Sequence, residues 1–224
     1  MSIAFNEIPL QVWTPGAFVE FDGSAAARGL QLQPHEALLI GNKLAAGSAV
    51  AGQIYQVKGY EEAIALGGQH SQIAQMVRQY KKIDKMTPFS ICCLDDATGA
   101  AASGNWALSG TATEAGTIAF YAAGRRFTVS VDVGDANTAV VTAAVAEAAK
   151  LTDCPLTISD GGTGQMDADA KHDGAFTNQL KIGHSLQAGE RLPEGITIVV
   201  TQPTAGSGDA DHADAVTAMS GVQY

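Results

Sequence analysis

Apolar residues in the first half of the chain form short continuous runs and one longer helical stripe. The runs Ala37–Gly41 and Phe89–Leu94 are almost entirely apolar, which is typical of strands buried on both faces. Between them, Ser71–Lys85 carries apolar side chains at intervals of three and four, which predicts an amphipathic helix capped by Ser71. The stripe consists of Ile73, Met76, Val77, Tyr80 and Ile83. Strand, helix and strand in this order predict an α/β layer.

Two shorter elements complete this half. Gln53–Lys58 alternates and predicts a short edge strand. Tyr60–Leu66 predicts a helix of one or two turns, ended by Gly67 and Gly68, because glycine at the C-terminus of a helix adopts the left-handed conformation without strain.

The second half is dominated by strand patterns. Trp106–Gly110 and Thr117–Ala122 predict strands, a turn follows at Ala123-Gly124, and Arg126–Val133 alternates. Its apolar face is Phe127, Val129, Val131 and Val133. A helix capped by Asp135 or Thr138 is predicted to follow and to run to about Lys150. Its predicted buried face is Val141, Ala144, Val145 and Ala148, and later strands are predicted at Leu156–Ile158, Asn178–Ile182 and Ile196–Val200 before a helix at Asp209–Met219.

Two stretches of small residues, Ala97–Gly104 and Pro203–Gly208, resemble linkers. They bracket residues 101–203, which we predict to be an inserted β-rich module containing one helix. Residues 34–100 and 204–224 would then form an incomplete outer α/β domain. The predicted fold class is α+β, with a partial strand–helix–strand outer domain around the insert.

Composition narrows the class of function. Hydrophobic residues make up 46% of the 224 residues, and charged residues only 16%, which favours a globular subunit that packs against neighbours. Acidic residues outnumber basic ones, 23 to 13, for a net charge of −10, which argues against nucleic-acid binding. The basic clusters Arg78/Lys81/Lys82/Lys85 and Arg125-Arg126 are interpreted as solvated faces.

The chain lacks the hallmarks of export and of membrane insertion. The first fifteen residues contain no basic segment followed by an apolar core, and no run reaches the length of a membrane helix. Cys92, Cys93 and Cys154 show no metal-binding or redox spacing, so we interpret them as reduced packing residues of a protein made in a cytoplasm.

Two loops resemble ligand-binding motifs without meeting their requirements. The segment Asp160–Gly164 resembles a phosphate-binding glycine loop, but no helix follows it, so a flexible turn is predicted. The segment Asp167–Asp173 resembles a calcium loop, but Lys171 and His172 occupy the fifth and sixth positions, so a solvated loop is predicted.

The remaining candidates for chemistry are equally incomplete. The acidic segment Asp209–Asp214 lacks a second ligand pair, and its carboxylates are explained by helix capping. The segment Gly183–Ser185 lacks the glycine that a nucleophile elbow needs. Five histidines, at 35, 70, 172, 184 and 212, have no carboxylate at a spacing that would orient them. We therefore predict no catalytic residues, no metal, no cofactor and no enzymatic activity.

The N-terminal stretch TPGAFVEFDGS, Thr14–Ser24, has the composition of a strand, but no hairpin partner is adjacent to it in the sequence. With Phe5–Pro9 before it, this stretch resembles the opening of contractile tail sheath proteins of Mu-like phages. The resemblance continues in order through Leu38–Ala45, Gly116–Arg126 and the strand–helix unit Val129–Ala149.

The resemblance implies a structural subunit that polymerises as a helical stack of rings around a tail tube and contracts during injection. It implies that residues 1–33 form an extended arm that adds a strand to a neighbouring subunit. The residues expected to make this contact are Pro15, Gly16, Phe18, Val19, Glu20 and Phe21. The implied partners are other copies of the chain and, in the full-length protein, tail tube and baseplate proteins. The implied location is the virion tail, and the host cytoplasm during assembly.

Members of that family carry a longer C-terminal region, so the resemblance also implies that this chain is a fragment or a shortened form. Two alternatives stay open. One is a surface-exposed carbohydrate- or receptor-binding β module of a phage particle, which an exposed aromatic cluster at Trp106 and Tyr121 would favour. The other is a hydrolase built on Ser185 or on an Asp/His loop, which would need a grouped, buried triad.

Overall fold

The computed structural model describes residues 36–220. In this range the strands are β1 (Ala37–Asn42), β2 (Ile54–Val57), β3 (Phe89–Leu94), β4 (Ala101–Gly110), β5 (Gly116–Ala122), β6 (Arg125–Val131), β7 (Leu156–Gly162), β8 (Gln165–Asp173), β9 (Ile182–His184) and β10 (Ile196–Thr204). The helices are α1 (Tyr60–Gly67), α2 (Gln72–Ile83), α3 (Asn137–Ala148) and α4 (Ala213–Met219), with a 3₁₀ helix at Ala175–Gln179. The predicted α+β class is confirmed.

Strands β1, β2 and β3 form a three-stranded sheet with β3 in the centre. Strand β3 runs parallel to β1 and antiparallel to β2, and all six of its residues are buried. Cys93 packs with the helical layer of α1 and α2, whereas Cys92 packs with Ala215 of α4. Adjacent residues of a strand point to opposite faces, so the sheet is covered on both sides, as the apolar run of β3 predicts.

The strands of residues 101–204 form two antiparallel sheets. One has the order β10-β4-β8-β7 and the other β6-β5-β9, and α3 packs against strands of both. Their shared core contains Phe120, which meets the ring of Trp106 edge-on at 5.9 Å and stacks on Phe127 at 5.4 Å. Such aromatic pairs contribute beyond the area that they bury.

The predicted linker before Trp106 is partly wrong, because β4 already begins at Ala101. Small residues in this part of β4 allow the neighbouring strand to approach closely. A Cβ atom on Gly104 would lie 2.6 Å from the carbonyl oxygen of Thr201 in β10. The composition of this segment is similar to that of a linker. In the structure, however, its small residues allow close packing between strands.

The predicted solvated loop at 167–173 is also wrong, because it lies within β8, a central strand of its sheet. Burial alternates strictly along this strand. Its buried residues are Met166, Ala168, Ala170 and His172. The segment Asp160–Gly164, predicted as a turn, forms the end of β7 and the tight connection to β8.

Smaller corrections concern element ends and faces. The segment predicted as a strand at Asn178–Ile182 contains the end of the 3₁₀ helix, and β9 starts only at Ile182. Ile83 and Val133 are exposed rather than buried. Ala136 occupies the N-cap of α3, because the Asp135 carboxylate instead accepts from the backbone N–H of Asp132 and closes the preceding turn.

Residues 100 and 207, which flank the predicted insert, are paired with each other. The Ala100 N–H donates to the Ser207 carbonyl over 3.2 Å, and the Ser207 N–H donates back over 3.0 Å. The chain therefore enters and leaves the β-rich part at one place. The domain boundaries at 101 and 203 stay a prediction.

Candidate functional site

Helix α2 contacts the β-rich part of the chain through a buried histidine. Ser71 caps the helix by accepting from the Ala74 N–H, and the N–H of Gln72, in the first turn, has no acceptor within the helix. That N–H donates to Nε2 of His172 over 2.9 Å. Because β8 alternates, His172 lies on its buried face and is only 5% exposed. The buried imidazole therefore provides an acceptor for a backbone N–H that would otherwise lack one.

Asp96, which follows β3, contacts the other nitrogen of the same imidazole. Its Oδ2 lies 3.0 Å from Nδ1 of His172 and also accepts from the backbone N–H of Asp173 over 3.1 Å. Burial acts to raise the pKa of Asp96, but His172 and the backbone N–H groups of Asp173 and Ala97 outweigh it and hold this pKa below its ordinary value. Because Nε2 accepts a hydrogen bond, the other ring nitrogen, Nδ1, is the one that carries a proton, and it is the nitrogen nearest the carboxylate.

A second polar contact joins the middle of α2 to the β-rich part. The Asp153 carboxylate, just after α3, pairs with the guanidinium of Arg78 in α2 and lies 3.0 Å from Nη2 of Arg125 in β6. Burial acts to raise the pKa of Asp153, but the hydrogen bond from Arg78 and the charges of both arginines outweigh it and lower this pKa. The Arg78 guanidinium also lies 5.9 Å from the ring centre of Tyr60 in α1.

The sequence suggested that Arg78 and Arg125 belong to solvated faces, but both side chains are only about one-third exposed and form ion pairs. Both pair with the same mostly buried carboxylate, that of Asp153. Arg126 is likewise paired, with its Nε 2.9 Å from Oε1 of Glu190. The lysines of the first cluster, at 81, 82 and 85, have no carboxylate partner within 4.0 Å among residues 36–220.

A cavity of about 340 Å³ lies beside the buried histidine, between the start of α2 and the 3₁₀ helix. Its lining includes His70, Gln75, Phe176 and Leu180. Burial, helped by the nearby charge of Lys171, lowers the pKa of His70, so this imidazole is neutral at pH 7. The cavity walls are therefore mostly uncharged.

The pair of Asp96 and His172 resembles the two members of a catalytic triad that orient a base, but it lacks the arrangement of a base. The nitrogen that would accept a proton from a nucleophile already accepts from the Gln72 N–H. The pair is not apparent in the sequence, because the carboxylate and the imidazole come from distant segments. The signal that could have found it was the alternation of QMDADAKHD, which places His172 on an apolar face.

The other candidate motifs also have structural settings. Residues 183–185 fall at the end of β9, and Gly183 offers its carbonyl to the indole N–H of Trp106. The acidic segment 209–214 leads into α4. Within residues 36–220, no group of three or more His, Cys, Asp and Glu side chains is placed to hold a metal ion. In the same range, no helix has both the length and the apolar character needed to cross a membrane.

The aromatic residues considered for ligand binding do not form an exposed platform. Trp106 is fully buried, and its indole N–H donates to the Gly183 carbonyl over 3.1 Å. The Tyr121 hydroxyl donates to the Glu190 carboxylate over 2.8 Å. Trp106 and Tyr121 therefore do not form the exposed aromatic cluster that would have favoured a carbohydrate-binding surface.

The three cysteines are free and buried, as predicted for packing residues. Burial, together with neighbouring Cys92, raises the pKa of Cys93 to about 11, and burial also raises the pKa of Cys154. None of the three thiols is therefore a thiolate at pH 7.

The residues predicted to contact a neighbouring subunit lie outside residues 36–220, the part of the chain that the structure describes. They are Pro15, Gly16, Phe18, Val19, Glu20 and Phe21. Their role stays a prediction.

Comparison with known proteins supports the resemblance found in the sequence. The chain is 32% identical over 220 residues to the Mu-like prophage FluMu tail sheath protein of Haemophilus influenzae. The alignment covers 98% of this chain and 45% of that protein, so this chain spans somewhat less than half the length of its relative. No protein-family model matches the chain. The resemblance to tail sheath proteins of Mu-like phages is thus confirmed.

Proposed function

We propose that this chain is part of a structural, non-enzymatic subunit of a contractile tail sheath of a phage or prophage. In this proposal the full-length protein polymerises as a helical stack of rings around the tail tube and contracts during injection. Its partners are other copies of itself, the tail tube and the baseplate. It is located in the virion tail, after assembly in the host cytoplasm.

The observation that carries the proposal is the sequence similarity to a tail sheath protein over 98% of this chain. The described fold supports it, because its partly buried polar residues connect segments of the chain to one another. His172, for example, joins a helix end to a carboxylate.

We further propose that residues 10–30 act as an arm between subunits, with Pro15 to Phe21 pairing through their backbone with a sheet of the next subunit. A contact of this kind, repeated head to tail without closing, generates a helical assembly. Contraction would then be a switch between two packings of the same subunits, with the arms as tethers.

The decisive experiment is electron microscopy of the full-length protein after expression alone. Tubes of stacked rings are expected. Particles that never form tubes, together with binding on a glycan array, would instead favour the alternative of a surface-exposed carbohydrate- or receptor-binding module.

The arm is tested by deleting residues 10–30 from the full-length protein. The deletion is expected to abolish tubes, because each subunit loses its backbone pairing with the next. The melting temperature of the deleted protein serves as the control and should stay within a few degrees of the parent value. Normal tubes from the deleted protein would refute the role of the arm.

A further inference from the structure

Two large apolar side chains are almost fully exposed at the C-terminal end of α2. Ile83 and Met86 are each 90% exposed, and a groove of about 350 Å³ lies beside Met86. Four lysines surround them, and together we call these six residues the lysine patch: Lys58, Lys81, Lys82, Ile83, Lys85 and Met86. Exposed apolar residues ringed by charge are typical of a protein–protein contact.

The lysines of the patch form no ion pair within residues 36–220, although Nζ of Lys81 lies 4.5 Å from the centre of the Phe89 ring. None of the four ammonium groups lies within 4.0 Å of a carboxylate in this range. Asp84 is the one acidic residue within this helix end, and its carboxylate accepts from the backbone N–H groups of Met86 and Thr87. Hydrogen bonds from Thr87 lead the effects that lower the pKa of Asp84 to about 2, so this carboxylate holds the local turn.

A surface of opposite charge lies on α4. Val216 of this helix is 62% exposed, and Asp211 and Asp214 beside it are exposed as well. The turn that contains Val50, itself 63% exposed, lies against the helix, since a Cβ atom on Gly52 would lie 2.7 Å from the Cβ atom of Asp214. We call these four residues the acidic patch: Val50, Asp211, Asp214 and Val216.

The two patches lie on opposite faces of the three-stranded sheet and at opposite ends of its central strand. The lysine patch lies beside Phe89, at the start of β3, on the side of α1 and α2. The acidic patch lies on the side of α4, where the Gly52 N–H donates to the carbonyl of Cys93 near the end of β3. Strand β3 is six residues long, so its two ends lie about 17 Å apart. The two patches of one molecule therefore cannot reach each other.

We propose that the lysine patch of one copy binds the acidic patch of a second copy. Opposite charges steer the two surfaces together, and Ile83 and Met86 pack against Val50 and Val216. Because the two surfaces differ and face apart, the contact is heterologous and leaves one patch open at each end of a pair. Such a contact repeats from copy to copy, and it builds a ring or a helical row according to whether the rotation between copies closes. The proposal rests on the proposed function, since it names a second surface by which copies assemble.

Charge reversal in the full-length protein tests this contact. Lys82→Glu with Lys85→Glu should reduce the yield of tubes seen by electron microscopy at least tenfold, and Asp211→Lys with Asp214→Lys should do the same. The four substitutions together should restore tubes, since the charges are exchanged rather than removed. Lys181→Glu, at an exposed lysine of the β-rich part, is the matched control and should assemble normally.

Melting temperatures of all variants show whether each protein is folded before assembly is scored. Normal tubes from either double variant, or a folded fourfold variant that fails to assemble, would overturn the contact while leaving the proposed function intact. Absence of tubes from the unmodified protein in every condition would overturn both.

A second measurement does not depend on tube formation. Met86→Cys and Val216→Cys, introduced into separate copies, should form a crosslinked dimer with a short bismaleimide when the copies are mixed. Met86→Cys with Thr113→Cys, an exposed residue of the β-rich part, is the control pair and should crosslink at least tenfold less. Equal crosslinking of the two pairs would contradict the proposed contact.

Discussion

The backbone N–H of Gln72 donates a 2.9 Å hydrogen bond to Nε2 of His172, which follows it by 100 positions in the chain. Asp96 lies 3.0 Å from the other nitrogen of the same ring. One imidazole thus joins the start of a helix, the end of a buried strand and the central strand of a second sheet. Partly buried polar contacts therefore connect these three segments at one point.

Removal of this imidazole should destabilise the fold. In His172→Ala, the Gln72 N–H and the Asp96 carboxylate both lose a buried partner, and we expect the free energy of unfolding to fall by about 2–3 kcal/mol. Chemical denaturation followed by circular dichroism measures this change. His212→Ala, at an exposed histidine, should change it by less than about 0.5 kcal/mol. Equal midpoints for the two variants would contradict the structural role of His172.

Acid should weaken the contact between α2 and Asp153. The pKa of Asp153 is lower in the folded chain than its ordinary value. Its stabilising contribution is therefore complete above the unfolded pKa, about 3.9, and is lost as the pH falls towards the folded pKa. We expect the free energy of unfolding to decline below about pH 4, and to decline less steeply in Asp153→Asn.

Urea denaturation between pH 7 and pH 2.5 measures this dependence. Asp132→Asn is the control, because the Asp132 carboxylate is exposed and makes no hydrogen bond within residues 36–220. It should leave the slope unchanged. If Asp153→Asn also follows the parent curve, the pairing with Arg78 and Arg125 does not operate in solution.

Trp106 should be essential for the core of the β-rich part. Trp106→Phe removes the donor to the Gly183 carbonyl and leaves a gap beside Phe120, so we expect a loss of about 1–3 kcal/mol. Thermal and chemical unfolding both measure this loss of stability. Val199→Ala, on the exposed side of β10, should cost less than about 0.5 kcal/mol. A stability loss no greater for Trp106→Phe than for Val199→Ala would place the indole outside the core.

The cysteines should be nearly inert in the native protein. Burial raises the pKa of the Cys93 thiol to about 11, so both access and thiolate formation are suppressed. At pH 8, a thiol-reactive dye should label the native chain at least a hundredfold more slowly than the chain in denaturant. Ser159→Cys, which adds an exposed thiol on β7, should gain one rapidly labelled site per molecule. Rapid labelling of the unmodified native chain would show that these thiols are accessible.

Periodicity predicted the elements whose neighbours in sequence are also their neighbours in space. The stripe of α2, the apolar run of β3 and the hairpin of β5 and β6 all follow from local spacing. It failed where acidic residues alternate with small ones, as in β8. Asp167 and Asp169 suggested a solvated loop, whereas Ala168 and Ala170 are the buried face of a central strand.

The candidate contacts could not be predicted because their members come from distant segments. Nothing near Asp96 in the sequence indicates that His172 lies beside it, and nothing near Asp153 indicates Arg78. Ile83 is a further example, since the helical period placed it on the buried face, whereas its side chain is 90% exposed.

By itself, the sequence determined the α+β class, the position of the main helix and several core strands, and the resemblance to tail sheath proteins. Side-chain spacing and backbone propensity are local properties, so a single chain is enough to display them. Only the tertiary structure decided which polar groups pair in the interior and which apolar residues stay exposed. These depend on contacts between segments far apart in sequence, and such contacts are set by how the sheets and helices pack.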